Sequence, residues 1–447
     1  MKLLRKIKKI ITEWLCNKTV QNYGLNAIWM FAARASWVIA AFTVGIFVTR
    51  KLGPERFGIL NYAMAWIGMF AIILDLGVTG IVQRDLVLHP EKKDRLLGNF
   101  AMFKGIQTVL MLIISGTVLS FSNMSSENIK LILILMAGYC TVFSTVISPY
   151  FFSVVKNKYE AGSQIISCIV YNGIRLCAVF FNMPLFVYAL AEAILQLTYH
   201  FSLLYFYHKT GNDCRNWSFR IKEVFGLFLP AIPLSLSGIF STIYSRTDIL
   251  MLEHFRGYET VAFYSLASRF TLNLTICFSL LSGIFSTAVS SSKKVSAAEY
   301  QKQIHRFYFM LFWIMIPFFP VFWLLSPIIF RVLYGEDFIT TASVFSIYVC
   351  SLPCIGLLNA FFWHCTIENK LILPAVTNGL GALINVFANW YMIQKMGVTG
   401  AAWSSVLSMP AGLILCLICT KDGRVFLKVI LKSLFTLPSF RLNHSGT

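Results

Sequence analysis

Long apolar runs separated by short polar and basic stretches recur along the whole chain, and the length of the runs decides what they are. About 20 consecutive apolar residues match a hydrocarbon core about 30 Å thick. A helix in a soluble domain needs only an apolar stripe. The runs predict twelve membrane spans, at 26–48, 58–82, 97–121, 128–152, 163–182, 185–207, 222–246, 260–288, 306–330, 343–366, 371–393 and 398–419. The first fifteen residues follow another period. Leu3, Leu4, Ile7, Ile10, Ile11 and Trp14 recur at helical spacing with lysines opposite, which predicts a basic amphipathic helix on a membrane surface. No small-residue cleavage site follows and the first long run begins only near Asn26, so a signal peptide is not expected.

Composition agrees with this pattern. Of 447 residues, 57% are hydrophobic and 13% charged, against about 25% charged in a soluble domain. The formal charge of +19 would suit a nucleic-acid binder, but the basic residues sit in the loops between apolar runs. There they suit anionic lipid headgroups and the positive-inside rule, so membrane lipids are expected as partners and nucleic acid is not. Of the 38 Lys and Arg, 26 fall in the N-terminal tail, alternate loops and C-terminal tail, 8 on the opposite face and 4 inside spans. This bias predicts that both termini are cytoplasmic.

The polar connection at 208–221 divides the pattern into a basic segment at 1–25, a six-helix lobe at 26–207, a second six-helix lobe at 222–419 and a basic tail at 420–447. A short echo supports two repeats. Gly53-Pro54-Glu55-Arg56-Phe57-Gly58 lines up with Gly257-Tyr258-Glu259-Thr260-Val261-Ala262 at an offset of 204. Parallel repeats of this kind place a substrate site near the bilayer midplane and allow alternating access.

Bond-making chemistry finds little support. There is no G-x-x-x-x-G-K, G-x-S-x-G or H-E-x-x-H and no long extracytoplasmic loop, so neither an enzyme nor a bound cofactor is expected. Most cysteines lie inside apolar runs, where a thiol packs as a small hydrophobe. Cys416-x-x-Cys419 has no second pair or histidine cluster, so no metal site is expected. Gly379-x-Gly381 reads as close helix packing.

Charge inside the spans is the unusual feature, because it costs a few kcal/mol per residue and usually faces a bundle interior or a wet cavity. Arg34 lies eight residues into span one and Arg269 nine residues into span eight, which at 1.5 Å per residue is about 12 to 14 Å deep. Arg175 and Lys104 are further deep cations, and Arg246 falls at the far mouth of span seven. A guanidinium grips phosphate through paired hydrogen bonds, so these five form a candidate substrate set for an anionic, phosphate-bearing ligand. The competing reading pairs each cation with an interhelical acid, for which Asp75, Glu192 and Asp248 are available. Asp75 and Glu192 could instead bind Na⁺ or relay protons. Pro230 and Pro233 predict a bend or break in span seven. His364, Trp29 and Trp37 read as packing or lipid-facing residues.

The order and spacing of several motifs resemble the polysaccharide biosynthesis transporters of the multidrug/oligosaccharidyl-lipid/polysaccharide exporter superfamily, with O-antigen and capsule repeat-unit flippases the nearest likeness. The motifs are Arg50-Lys51-Leu52-Gly53-Pro54-Glu55-Arg56-Phe57-Gly58, Asp75-Leu76-Gly77, Arg84-Asp85, Asn26 with Trp29, Pro230 and Pro233, Arg246-Thr247-Asp248, Val261 to Ala267, Tyr334-Gly335-x-x-Phe338 and Gly397 to Ala402. The resemblance covers residues 20 to 420. It implies an all-α, V-shaped alternating-access bundle of about twelve transmembrane helices in two lobes. Its substrate would be an undecaprenyl-pyrophosphate-linked oligosaccharide, carried from the cytoplasmic to the periplasmic leaflet of a bacterial inner membrane and passed to a glycan polymerase machinery. In such flippases basic residues of a central cavity hold the pyrophosphate; by type and location Arg34 and Arg269 are the positions assigned to it here. Coupling to H⁺ or Na⁺ stays open. The same superfamily offers a cation-coupled drug exporter, which would want an acidic cavity, and a peptidoglycan-precursor flippase. A membrane glycan polymerase or glycosyltransferase would need a large extracytoplasmic loop or an acidic catalytic motif.

Overall fold

The computed structural model describes residues 18–74, 76–220, 223–224, 226 and 232–435. Among these residues there is no strand, and α-helices occupy Lys18–Phe42 (α1), Val44–Phe70 (α2), Val78–Leu88 (α3), Lys93–Ser120 (α4), Ser126–Tyr139 (α5), Ile147–Ser153 (α6), Asn157–Phe180 (α7) and Leu185–Lys209 (α8). They continue with Ile232–Arg256 (α9), Tyr258–Ser292 (α10), Ala297–Trp313 (α11), Phe318–Tyr334 (α12), Ile339–Val349 (α13), Leu352–Ile367 (α14), Ile372–Met396 (α15), Val398–Cys419 (α16) and Lys421–Phe435 (α17). The amphipathic N-terminal segment expected at 1–15, together with Asp75 and Pro230, lies outside the described residues.

The first corner shows why glycine is needed where it is. Gly53 adopts φ 69, ψ 175 inside α2, a region of backbone space essentially reserved for glycine, and Pro54 then starts the next turn with its φ already fixed. The expected nine-residue connection between spans one and two is therefore helix, bent at one residue. Gly257, the matching position of the echo, has φ 82, ψ 178 and directly precedes α10. The two echo segments also touch each other. A Cβ on Gly58 would overlap the carbonyl of Tyr258, and the rings of Tyr62 and Tyr258 meet edge to face at 5.6 Å.

Among the described residues seven helical stretches are long and apolar enough to cross a membrane, and up to nine if each bent pair is one span. The count falls below twelve for identifiable reasons. Gly24–Leu74 is one such stretch of 51 residues, roughly 75 Å of helix at 1.5 Å per residue, enough for two passes. Span ten, expected at 343–366, is a bent pair, α13 and α14, at 47°. Span nine is counted, within the stretch Ala297–Tyr334, although a turn separates its two helices α11 and α12. α9 is not in the count, because serines, Thr242, Arg246, Thr247 and Asp248 interrupt its apolar run. Its first described residue is Ile232, ten residues after the expected start of span seven. Span two is broken after Leu74, where a 3₁₀ turn precedes Gly77 in the left-handed region, φ 66.

The chain divides into two compact units, Met1–Lys51 with Phe70–Ser235, and Leu52–Met69 with Leu236–Thr447. In the first, Leu97, Phe100, Ile147, Phe151, Leu203 and Tyr207 join α3, α4, α6 and α8 in one core. The connection after α8, expected as a linker at 208–221, is fastened onto α4 of that unit. Lys93 Nζ donates to Asn212 Oδ1 at 2.7 Å, Arg220 N–H donates to Asn99 Oδ1 at 2.7 Å, and Arg95 pairs with Glu223. In the second unit Phe307, Tyr308, Phe361, Leu417, Phe426 and Ile430 join α11, α14, α16 and α17. Residues 421–435, expected as a tail, are thus a docked helix. Helices α15 and α16 of this unit cross at glycine: a Cβ on Gly412 would stand 2.6 Å from Gly381 N and 2.8 Å from the Thr377 carbonyl. This is the close packing that Gly379-x-Gly381 announced.

Candidate functional site

The polar residues that interrupt α9 face a matching set on α15 and α16. Asn378, Asn385 and Asn389 recur at about helical period on α15, so they share a face, and all three are buried. Asn378 Nδ2 donates to Ser237 Oγ at 2.9 Å, and Tyr244 O–H donates to the Ser405 carbonyl at 2.6 Å. Further along the seam, Asp248, 2% exposed, accepts from Tyr264 O–H, from Asn389 Nδ2 and, at 2.6 Å, from Ser405 Oγ. Asn389 is held in turn by Asn385 Oδ1 at 3.0 Å. Every partner of Asp248 among the described residues is neutral. A buried carboxylate is expensive without a cation unless several donors converge on it, and here three do. The cage borders a cavity of about 310 Å³ lined by Asp248, Tyr264, Ser268, Thr271, Tyr348 and Ser405 among others.

The five cations named from the sequence occupy different surroundings. Arg34 is exposed on α1, one turn before Trp37. Trp37 packs on Tyr171 of α7 at 6.0 Å. Arg175, one turn after Tyr171, lays its guanidinium over that ring at 4.8 Å and reaches Asn172 Oδ1 at 3.4 Å. Tyr171 O–H donates to Glu192. Arg175 and Glu192 therefore share one tyrosine, which stands between the cation and the acid. Lys104 is 6% exposed, donates to the Leu74 carbonyl at the break of span two and lies 5.5 Å from the Phe100 ring. That position ties a broken helix end to α4.

In the second unit, Arg246 is half-buried on α9, and its Nε comes within 3.0 Å of where a Gly68 Cβ would be. Glycine at 68 thus makes room for a guanidinium. Arg269 is exposed on α10. Asp75 lies outside the described residues. His364 is a buried packing residue: its Nδ1 meets Tyr308 O–H at 3.1 Å and its ring lies 4.3 Å from Phe426. Among the described residues no group of three or more His, Cys, Asp or Glu could hold a metal ion.

A family model described as polysaccharide biosynthesis protein matches residues 24–286, more than half of the chain. The chain belongs to the polysaccharide biosynthesis protein family. A Shigella flexneri protein assigned as an O-antigen transporter is 23% identical over 409 residues, which cover 87% of this chain and 96% of that one. The fold is that of solved transporters. The lipid II flippase MurJ in an inward closed conformation superposes with TM-score 0.67 at 19% identity, over 92% of this family member and 90% of MurJ. An inward-facing multidrug resistance MATE transporter of the MOP superfamily gives 0.66 at 16%, over 91% and 99%. These folds have about twelve helices in two lobes, as the hydropathy pattern predicted.

Two buried acids of this polysaccharide biosynthesis family member carry different weight in the sequence. Asp248 was named from the sequence as an available interhelical acid, two residues beyond the expected end of span seven at 246. Glu160 was not, because span five was expected to start at 163 and left it in a loop. The structure puts it one turn inside α7 at 2% exposure. The signal that could have found it was the spacing of Asn157, Glu160 and Gln164, one polar face on the first turns of a helix.

Proposed function

We propose that this chain is a flippase for undecaprenyl-pyrophosphate-linked O-antigen, capsule or exopolysaccharide repeat units. It turns them from the cytoplasmic to the periplasmic leaflet of the bacterial inner membrane by alternating access, with both termini cytoplasmic and without bond chemistry. The observation that carries this reading is the match to an O-antigen transporter along 96% of that protein's length, inside a family of polysaccharide biosynthesis proteins.

The chemistry of the residues agrees with an anionic headgroup. Arg34 and Arg269 are exposed on apolar helices, where a guanidinium can meet a phosphate that reaches the helix surface. A diphosphate offers each arginine a bidentate partner. A drug exporter for cationic compounds would gain nothing from these groups. We assign the pyrophosphate to Arg34 and Arg269, with Arg175 and Arg246 as supporting cations. The carboxylate cage at Asp248 is the seat we assign to the coupling H⁺ or Na⁺, since a cation arriving there meets a carboxylate already oriented by three donors.

Deletion of the gene tests the reading: surface glycan should disappear while lipid-linked repeat units accumulate on the cytoplasmic leaflet. Normal glycan display would sink it. In the complemented strain, Arg34→Ala and Arg269→Ala should each lower display about tenfold or more, the worth of one charge-assisted hydrogen bond. Arg→Lys should restore part of it, because charge remains and the bidentate fork is lost.

A further inference from the structure

The start of α7 holds a second buried carboxylate that the proposed transport mechanism does not use. Glu160 Oε1 accepts from Tyr199 O–H of α8 at 2.6 Å and from Gln164 Nε2 at 3.0 Å. The Ser148 hydroxyl of α6 neighbours that of Tyr199. Glu160 Oε2 is buried and has no donor among the described residues. One turn earlier on the same face, Asn157 Oδ1 is likewise buried with no donor. Two buried oxygen acceptors therefore stand at positions i and i+3, one turn apart on one face of α7, each lacking the donor that a buried acceptor requires. No described Lys, Arg or His forms an ion pair with Glu160; Lys156 and Lys158 beside it on the chain are exposed.

We propose that Glu160 and Asn157, with the hydroxyls of Tyr199 and Ser148, form an alkali-cation site in the first unit. The ligand set is hard oxygen throughout, which excludes the soft transition metals. It carries one formal negative charge, so a monovalent ion leaves the pocket neutral, whereas a divalent ion would bury an uncompensated positive charge. The site is independent of the cargo. It differs from the Asp248 cage in what the cation would do. At Asp248 three donors already satisfy the carboxylate, whereas here the cation itself completes the pocket.

The test uses the purified full-length protein in nanodiscs, without glycan, and reads the thermal unfolding midpoint in Na⁺, K⁺ or choline at constant ionic strength and pH. Wild type should unfold about 2 to 4 °C higher in Na⁺ or K⁺ than in choline, as expected of a ligand that binds only the folded state. Glu160→Gln should lose that rise. The variant replaces a buried carboxylate that has one unfilled oxygen with a neutral amide, so in choline it should be at least as stable as wild type, whereas a merely structural carboxylate would give a less stable variant. Asn157→Ala should weaken the response without abolishing it, and Asp248→Asn should retain a Glu160-dependent response. An alkali-cation response of wild-type size in Glu160→Gln, or no such response in wild type, overturns the site.

Discussion

Asp248 in one unit and Glu160 in the other are both about 2% exposed, and both accept from a tyrosine hydroxyl, yet they are finished differently. Asp248 gathers Tyr264, Ser405 and Asn389. Glu160 gathers Tyr199 and Gln164 on one oxygen and nothing described on the other. The difference teaches that burial alone does not define a charged site. What counts is how much of the acceptor capacity the protein itself fills, because each unfilled buried acceptor costs about 1 to 3 kcal/mol.

The largest effect should come from emptying the filled cage. Asp248→Ala removes the acceptor that three donors share inside unit two; Ser405 and Tyr264 can turn to the Ala401 carbonyl and to Ser405 Oγ, but one Asn389 N–H is left unpaired in the emptied space, and together these losses amount to about 3 kcal/mol. The variant should show a marked drop in unfolding midpoint and a loss of glycan display. Asp248→Asn keeps the shape and most hydrogen bonds, so it should remain folded while transport falls. If Asp248→Asn transports normally, the carboxylate charge has no part in coupling.

Much of this comparison could be read in advance only on one side. Twelve apolar runs and the charges at Arg34, Arg175 and Arg269 follow from local sequence, because span length and intramembrane charge are local signals. The cage is not local: Asp248 meets Asn389 and Ser405, 141 and 157 positions away. Nothing in hydropathy distinguishes an asparagine that faces a carboxylate from one that faces lipid. Lys104 illustrates the converse. Its depth was legible, but its use as a clamp on the Leu74 carbonyl depends on a helix break that the apolar pattern of span two conceals.

A pair of hydroxyl deletions sharpens the contrast at a smaller scale. Tyr264→Phe leaves Asp248 two donors, whereas Tyr199→Phe leaves Glu160 one. A hydrogen bond to a charged group contributes about 1.5 to 3 kcal/mol, and the loss should be felt more where fewer donors remain. In choline, Tyr199→Phe should therefore lower the midpoint more than Tyr264→Phe, about 2 against about 1 kcal/mol. The reverse order would show that donor number is not what distinguishes the two acids.

The smallest effect concerns an acid that does have a cation. Glu368, in the connection between α14 and α15, accepts from Tyr300 O–H and pairs with Lys293 Nζ at 3.1 Å. Burial pushes its carboxyl up, but the Tyr300 hydrogen bond and the Lys293 ammonium outweigh that and hold it below the ordinary glutamate value. A lowered folded-state value means the stabilisation is present in full above the unfolded-state value, about pH 4.3. It is lost as the pH falls through the lower folded-state value. The pair is partly solvated, so it should contribute no more than about 1 kcal/mol. Glu368→Gln should accordingly lower the midpoint slightly at pH 7 and match wild type once the pH has fallen below the folded-state value and the acid is protonated. A difference between the two proteins that stays constant across that range would mean that the carboxylate acts through its shape rather than its charge, and Glu368 would then belong with the neutral partners of Asp248 instead of standing as their charged counterpart.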